Sequence, residues 1–260
     1  MSIKYKSIIV IPDSHAHPDY DNNRFSWLAN YILEKQPDII VDIGDSADMA
    51  SLCHYDMGTL HAEGRRYKDD LHSYHDAMEK LTKPLTQYNN TMTQWRKRKY
   101  RPLMFKCTGN HENRINRAAT EQPQYFGHID MSDLREAYYG WQVIPFMKPL
   151  HIENICFQHY FASGVMGRPI SGEYVAGNMV KKGMMSCVAG HSHLRDYWET
   201  TDVVGRKRFG LVVGCYFDYT PAYTTEAARW WRGIVRLHDV HDGSADPEFI
   251  NIDYLKRKYS

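Results

Sequence analysis

Cysteine is scarce and unpatterned. The chain has five, Cys53, Cys107, Cys156, Cys187 and Cys215, an odd number with no CxxC pair. That argues against a disulfide framework and against a thiolate zinc site. Cys107, Cys156 and Cys187 lie in apolar runs and read as small buried hydrophobes, as expected of a protein of a reducing cytoplasm. Long hydrophobic runs are also missing. The apolar stretches at 7–12 and 209–217 are far too short to span a bilayer, and residues 1–6 lack the apolar core of a signal peptide. No membrane association is therefore expected. Net charge is nearly absent, with 32 basic against 31 acidic residues and a formal balance of +1. A nucleic-acid-binding domain with a global basic excess is not indicated, which leaves only a local patch. There is no internal repeat, low-complexity tract or linker. A length of 260 residues then predicts one domain over 1–260.

Histidine is plentiful, at 14 residues, and many of the histidines are patterned. Residues 7–12 (SIIVIP) form a β-branched apolar run, the signature of a strand buried on both faces. Residues 21–35 carry Phe25, Leu28, Ile32 and Leu33 at helical spacing, with Asp21 as the expected N-cap and Pro37 as the stop. Residues 38–43 (DIIVDI) read as a second strand, parallel to the first through the βαβ connection. Residues 55–101 interrupt this alternation and read as a mostly helical insertion, with helical stretches at 65–83 and 85–99. The strand pattern resumes at 102–108, and a helix is expected at 112–119. After Gly140 short strands are expected at 141–145, 151–158, 185–189, 195–203, 209–216, 233–240 and 248–253, with one helix at 171–182. The second half should form another sheet packed on the first.

Polar motifs follow most of these apolar runs. They are Asp13-Ser14-His15, Gly44-Asp45-Ser46-Ala47-Asp48, Gly109-Asn110-His111-Glu112, a lone His159, and Gly190-His191-Ser192-His193. Ligands of α/β sheets bind beyond the carboxyl ends of strands, so these motifs should converge. Carboxylate, imidazole and amide oxygen suit Mn, Zn, Fe or Mg. A mixed set of this kind fits two ions bridged by one carboxylate, typically ~3.5–4 Å apart.

The order DxH, GDxxD, GNHE, H, GHxH resembles the calcineurin-like metallophosphoesterase family, and the match covers Asp13 to His193. The resemblance implies a four-layer α/β/β/α sandwich of two mixed sheets flanked by helices. It implies two divalent ions, with Mn first and Zn, Fe, Ni or Mg as alternatives. Asp13, His15 and His193 would hold one ion, Asp45 would bridge both, and Asn110, His159 and His191 would complete the second site. His111 would act on the scissile phosphate, oriented by Asp48 through a hydrogen bond. The reaction implied is hydrolysis of a phosphate ester by a hydroxide bridging the ions. The sequence Gly109-Asn110-His111-Glu112-Asn113-Arg114 is also similar to phage-encoded, DNA-repair-exonuclease-like members, which would work in the host cytoplasm. Two departures stand out. Tyr160 follows His159 where many members have Gly, and an extra His17 follows His15. His17 is expected to support the site from behind or to face solvent.

Substrate signals are weaker. Arg114 and Arg168 are candidate phosphate contacts. His72 and His75, three apart in the insertion, are candidate substrate contacts, with a further metal site or a solvated helix face as alternatives. The run Trp95-Arg96-Lys97-Arg98-Lys99-Tyr100-Arg101 could track a nucleic-acid backbone or be a solvated helix end. Residues 216–223 and Trp230-Trp231 read as core aromatics or as a stacking wall. The expected substrate is a phosphate ester, a nucleotide or DNA in the phosphodiesterase or nuclease reading. Phosphomonoesterase and protein phosphatase are the alternatives, although the Arg-Gly expected after Asp48 in the latter is Met49-Ala50 here. A non-catalytic nucleic-acid- or protein-binding scaffold is the alternative of another class. No obligate protein partner is inferred.

Overall fold

The computed structural model describes residues 7–221 and 227–260. Three short apolar strands, β1 (Ser7–Ile11), β2 (Ile39–Asp42) and β3 (Leu103–Cys107), form the parallel heart of the first sheet. β4 (Gln142–Ile144) extends it in parallel, and β12 (Gly233–His241) and β13 (Ser244–Asn251) close its other side antiparallel, in the order β13-β12-β1-β2-β3-β4. The second sheet has the order β10-β11-β9-β6-β5, built from β5 (Leu150–Ile152), β6 (Ile155–Phe157), β9 (Ser186–Ala189), β10 (Arg195–Thr201) and β11 (Lys207–Val213). Its centre, β6, β9 and β11, is parallel. A two-stranded hairpin, β7 (Ala162–Ser163) and β8 (Arg168–Pro169), stands apart.

The two-residue period of a strand sets the layers. Ile8, Val10, Ile39 and Val41 face the second sheet and pack with Phe157, Val188 and Leu211. The alternate residues Ile9, Ile11 and Ile40 face outwards, onto the helices α1 (Asn23–Lys35), α2 (Tyr67–Gln94) and α5 (Ile252–Tyr259). On the far side α4 (Val175–Gly183) covers the second sheet through Val175, Ala176 and Met179 against Cys187 and Val212. A shorter helix, α3 (Arg114–Glu121), inserts Ile115 into the first helix layer. The expected four layers, α/β/β/α, are present. Among the described residues no helix is long and apolar enough to cross a membrane.

Several boundaries differ from the sequence expectation. The insertion forms one 28-residue helix, α2, rather than two stretches broken at Pro84. Proline removes a single N–H there, and Leu81 and Leu85 on either side stay buried, so the apolar stripe carries the helix through. The strand expected at 151–158 is the hairpin β5–β6, turned by Glu153 and Asn154 at φ 46° and 62°; positive φ at both central residues is what a tight hairpin requires. The helix expected from 171 starts at Val175. Asp21 accepts from the Asn23 amide at 2.8 Å, but the N-cap position belongs to Asn22. The last strand ends at Asn251, whose side chain caps the unforeseen α5 by accepting from Asp253 at 2.7 Å.

The basic run 95–101 leaves the end of α2 as an exposed loop. Tyr100 ties it to the start of β2, its hydroxyl donating to the Pro37 carbonyl at 2.9 Å. The loop therefore sits at the amino-terminal end of the parallel strands. The polar motifs emerge at the opposite end.

Candidate metal centre

Each motif is held where a strand stops. Asp13 and His15 follow β1, Asp45 follows β2, Asn110 and His111 follow β3, His159 follows β6, and His191 and His193 follow β9. The loops are laced together by their backbones. Ser14 and His15 amides donate to the Asp45 carbonyl at 3.1 and 2.9 Å, and the Gly190 amide donates to the His159 carbonyl at 3.0 Å. Four of the seven expected ligands, His15, Asp45, His191 and His193, hold positive φ of 41°, 56°, 70° and 58°. Non-glycine residues rarely adopt that conformation, and such strain concentrates at functional sites. Gly109 and Gly190 are glycine for a different reason. A Cβ on Gly109 would fall on the Asp45 carboxylate, and one on Gly190 on the Asp13 carboxylate.

Glu112 carries the scaffold. Its buried carboxylate accepts from the amides of Asp45 (3.0 Å), Ser46 (2.6 Å), Ala47 (3.0 Å) and Gly109 (2.9 Å) and from the Ser46 hydroxyl (3.0 Å). Sequence reasoning assigns Glu112 no role; its place as the fourth residue of GNHE is the available signal. Removing it leaves buried amides without an acceptor, at about 1–3 kcal/mol each before relaxation. Glu112→Ala is expected to lose roughly 3–5 kcal/mol of stability, read as a lower denaturant midpoint at unchanged slope. Arg24 is a second unforeseen support, a fully buried cation on the apolar face of α1. It donates to the carbonyls of Ser14 (2.7 Å), His15 (3.2 Å) and Tyr216 (3.1 Å), fixing the first loop.

The expected donors converge. Asp13, His15 and His193 form one group with ligand atoms within 4.8 Å of one another, and Asp45, His159 and His191 form another. Asp45 also groups with His15 and His111, so its carboxylate is common to both sides. His193 Nε2 lies 3.2 Å from both Asp13 Oδ2 and His15 Nε2. His159 Nε2 lies 2.9 Å from Asn110 Oδ1 and 3.2 Å from Asp45 Oδ2.

Tautomers follow from the partners. His159 Nδ1 is 3.1 Å from the Ile43 carbonyl, which can only accept, so Nδ1 carries a proton and Nε2 is the ring atom turned towards Asp45 and Asn110. His15 Nδ1 donates to Asp48 Oδ2 at 3.1 Å, freeing its Nε2 towards His193. Metal-ligating imidazoles are usually held in this way. These are hard oxygen and borderline nitrogen donors gathered about shared space, and among the described residues no thiolate joins them. The set fits two divalent ions.

The electrostatics reinforce the arrangement. Burial opposes charge on Asp45, yet His159 and His111 hold its pKa well below the carboxylate range. Burial likewise opposes charge on Asp48, and the neighbouring His111 and the hydrogen bond from His15 hold it well below. His159 rises to about 10: burial works against its cation, but Asp45 prevails. His191 falls to about 4, through burial and the neighbouring His159.

His111 stands beside these groups with different partners. Its Nδ1 donates to the backbone carbonyl of Asp48 at 2.8 Å, and its Nε2 lies 3.1 Å from Arg114 Nη2 and 3.8 Å from Asp45 Oδ2. Asp48 therefore orients His111 through its carbonyl, while its carboxylate bonds His15 and sits 3.7 Å from His111 Nδ1. The hydrogen bond expected between Asp48 and His111 is made by the Asp48 backbone carbonyl and not by its carboxylate.

A cleft of about 350 Å³ opens next to His111. Arg114 lines it, with His17, Tyr20, Tyr55, His61, Arg65 and Tyr219. The first part of the insertion thus rises beside the centre, as expected. Three substrate candidates suggested by the sequence do not reach it. His72 is exposed because α2 turns Ser73, Tyr74 and Ala77 inwards. His75 is 3.1 Å from the Tyr139 hydroxyl, and neither histidine lines the cleft. Arg168 is exposed on the β7–β8 hairpin. His17 accepts from the Asp19 amide at 3.1 Å and joins no donor group. Tyr160 packs its ring against His191, 4.9 Å between centroids. Of the late aromatics, Tyr216 and Phe217 are core, Trp230 meets His193 edge-on at 4.5 Å, and Tyr223 lies outside the described residues.

No protein-family model matches this chain, and no curated protein matches it. Solved structures similar to it include a conserved uncharacterized protein, a predicted phosphoesterase, from Streptococcus pneumoniae (12% identity, TM-score 0.33, covering 97% of this chain and 92% of that one). A phosphoesterase from E. coli gives 12% identity and a TM-score of 0.40, over 94% of this chain and 100% of that one. A dimetal phosphatase from Danio rerio gives 10% identity and a TM-score of 0.36, over 96% and 97%. With likeness this low, a functional reading rests on the side chains of this chain.

Proposed function

We propose that this protein is a dinuclear-metal-dependent phosphoesterase, a phosphodiesterase or nuclease whose substrate is a nucleotide or nucleic acid. One observation carries the reading: the buried Asp45 carboxylate groups with His159 and His191 on one side and with His15 and His111 on the other, His15 in turn grouping with Asp13 and His193, while His111 has its Nδ1 fixed by the Asp48 carbonyl. Asp13, His15 and His193 would hold one ion and Asn110, His159 and His191 the other, with Asp45 between them. Bound there, two divalent ions would supply Lewis-acid polarisation of a phosphoryl group and activation of water near neutral pH.

The protein's own part is positional and acid–base. Because His111 Nδ1–H is committed to the Asp48 carbonyl, Nε2 is the atom that exchanges a proton with substrate. Burial disfavours the imidazolium, but Asp45 outweighs it despite Arg114, with Asp48 adding support, so the pKa lies above its ordinary value. The upward shift suits His111 to serve as an acid for the departing oxygen. Arg114, bonded to the Asp48 carbonyl at 3.0 Å, lines the cleft beside His111 with a fixed cation, suited to negative charge developing on the departing oxygen. Arg65, on the facing insertion, adds a second. These two cations, each 3.6 Å from a carboxylate that also lines the cleft (Asp56 for Arg65, Asp48 for Arg114), and not the distant run 95–101, are the charges proposed to meet an anionic nucleotide.

The test compares bis-p-nitrophenyl phosphate, p-nitrophenyl phosphate and single- and double-stranded DNA, with Mn²⁺ and after chelation. Metal-dependent cleavage of the diester is expected. Cleavage of monoesters alone would end the diesterase reading, and binding without turnover on any ester would favour a scaffold.

A further inference from the structure

The cleft beside His111 contains more than phosphate chemistry needs. Tyr20 and Tyr219 stack there with centroids 3.7 Å apart and rings 5° from parallel. Tyr219 is pinned. Its hydroxyl donates to the His15 carbonyl at 2.7 Å, and its ring meets Phe217 at 4.8 Å and the Arg24 guanidinium at 5.8 Å. Tyr20 has Tyr219 on one face; the only other ring near it among the described residues is His17, at 5.4 Å and tilted by 53°. Tyr20 is only partly buried and lines the cleft. The stack therefore offers the cleft a flat aromatic surface whose support is fixed through the same loop that carries His15.

The position of the stack says which part of a substrate it meets. The cleft takes in His111, Asp48 and Arg114 but not Asn110, His159 or His191. It opens on the acid side of the donor cluster, where the departing oxygen must lie. We propose that the Tyr20–Tyr219 stack is a platform for a nucleobase carried by the leaving group, so that the alcohol released is a nucleoside or nucleotide hydroxyl. This rests on the phosphoesterase reading above. In the step, a water oxygen bonds to phosphorus and the P–O bond to the nucleoside breaks. The electron pair stays on the departing oxygen, which takes the proton from His111 Nε2, while the proton shed by the attacking water passes to solvent, from which His111 is reprotonated. Stacking on an aromatic face is tolerant of base identity, so the platform selects a planar base without fixing which one. Because Tyr20 is already ordered by Tyr219, little freedom is lost when a base arrives.

The test is calorimetric titration of Mn²⁺-loaded protein with adenosine and with ribose, neither of which carries a phosphate. Adenosine is expected to bind at least about 10-fold more tightly than ribose. Tyr20→Leu should weaken adenosine by on the order of 10-fold and leave ribose unchanged, while Tyr20→Phe and Tyr20→Trp keep adenosine binding. Melting curves establish that the variants are folded, and the Phe and Trp variants decide the matter if the Leu variant is not. Equal binding of adenosine and ribose, or adenosine affinity indifferent to Tyr20, overturns the platform even if esters are hydrolysed. Base-selective, Tyr20-dependent binding by a protein that hydrolyses no ester overturns the leaving-group assignment and the phosphoesterase reading with it.

Discussion

Asp45→Asn is expected to abolish hydrolysis, with a loss on the order of 10⁴-fold or more in kcat/KM, and to lower metal content at the same time. The substitution preserves shape and replaces one anionic oxygen by an amide. In the native chain Asp45 Oδ2 lies 3.2 Å from His159 Nε2, and Oδ1 accepts from the His111 amide at 2.8 Å. The carboxylate is fully buried and belongs to donor groups on both sides, so a neutral residue weakens both at once. Asn at 45 also removes the charge that holds His159 protonated and lifts His111. Metal analysis of dialysed protein beside an initial-rate assay checks this. Wild-type metal content in the variant would refute the bridging role.

His111→Gln is expected to behave in the opposite way on metal and similarly on rate. Metal content should be unchanged, because His111 is not among the seven proposed ligands and its Nδ1 is committed to the Asp48 carbonyl. The rate should fall by about 10²–10⁴-fold, the usual contribution of a general acid. The pH dependence gives a sharper signature. The His111 pKa is raised, so the acid is fully loaded below the ordinary histidine value and remains loaded somewhat above it. As pH rises through that raised pKa the proton is lost and activity should decline. In His111→Gln this alkaline decline should vanish. A variant that keeps both the wild-type rate and the alkaline limb removes His111 from the mechanism.

Much of this site was legible because strand ends and ligands coincide. Short β-branched runs such as 7–11 and 39–42 announce buried parallel strands, and a polar motif just beyond such a run must lie at the sheet's carboxyl edge. What could not be read was the support. Glu112 accepts from residues 65 to 67 positions away, and Arg24 reaches carbonyls up to 192 positions away; such long-range partners leave no local period. The Tyr20–Tyr219 stack joins two loops that are neighbours only in three dimensions. For His72 and His75 the alternatives stayed open because helical spacing identifies a face without saying what that face meets. The basic run misled because charge density carries no address, and here it lies at the wrong end of the strands.

The central claim is that seven side chains, Asp13, His15, Asp45, Asn110, His159, His191 and His193, form one dinuclear site. Equilibrium dialysis of chelator-stripped protein against Mn²⁺, with metal counted per chain, tests it most directly. Two ions per chain in the wild type, falling in Asp45→Asn, is the predicted result; binding of no ion, or of a single ion that Asp45→Asn leaves in place, would contradict it.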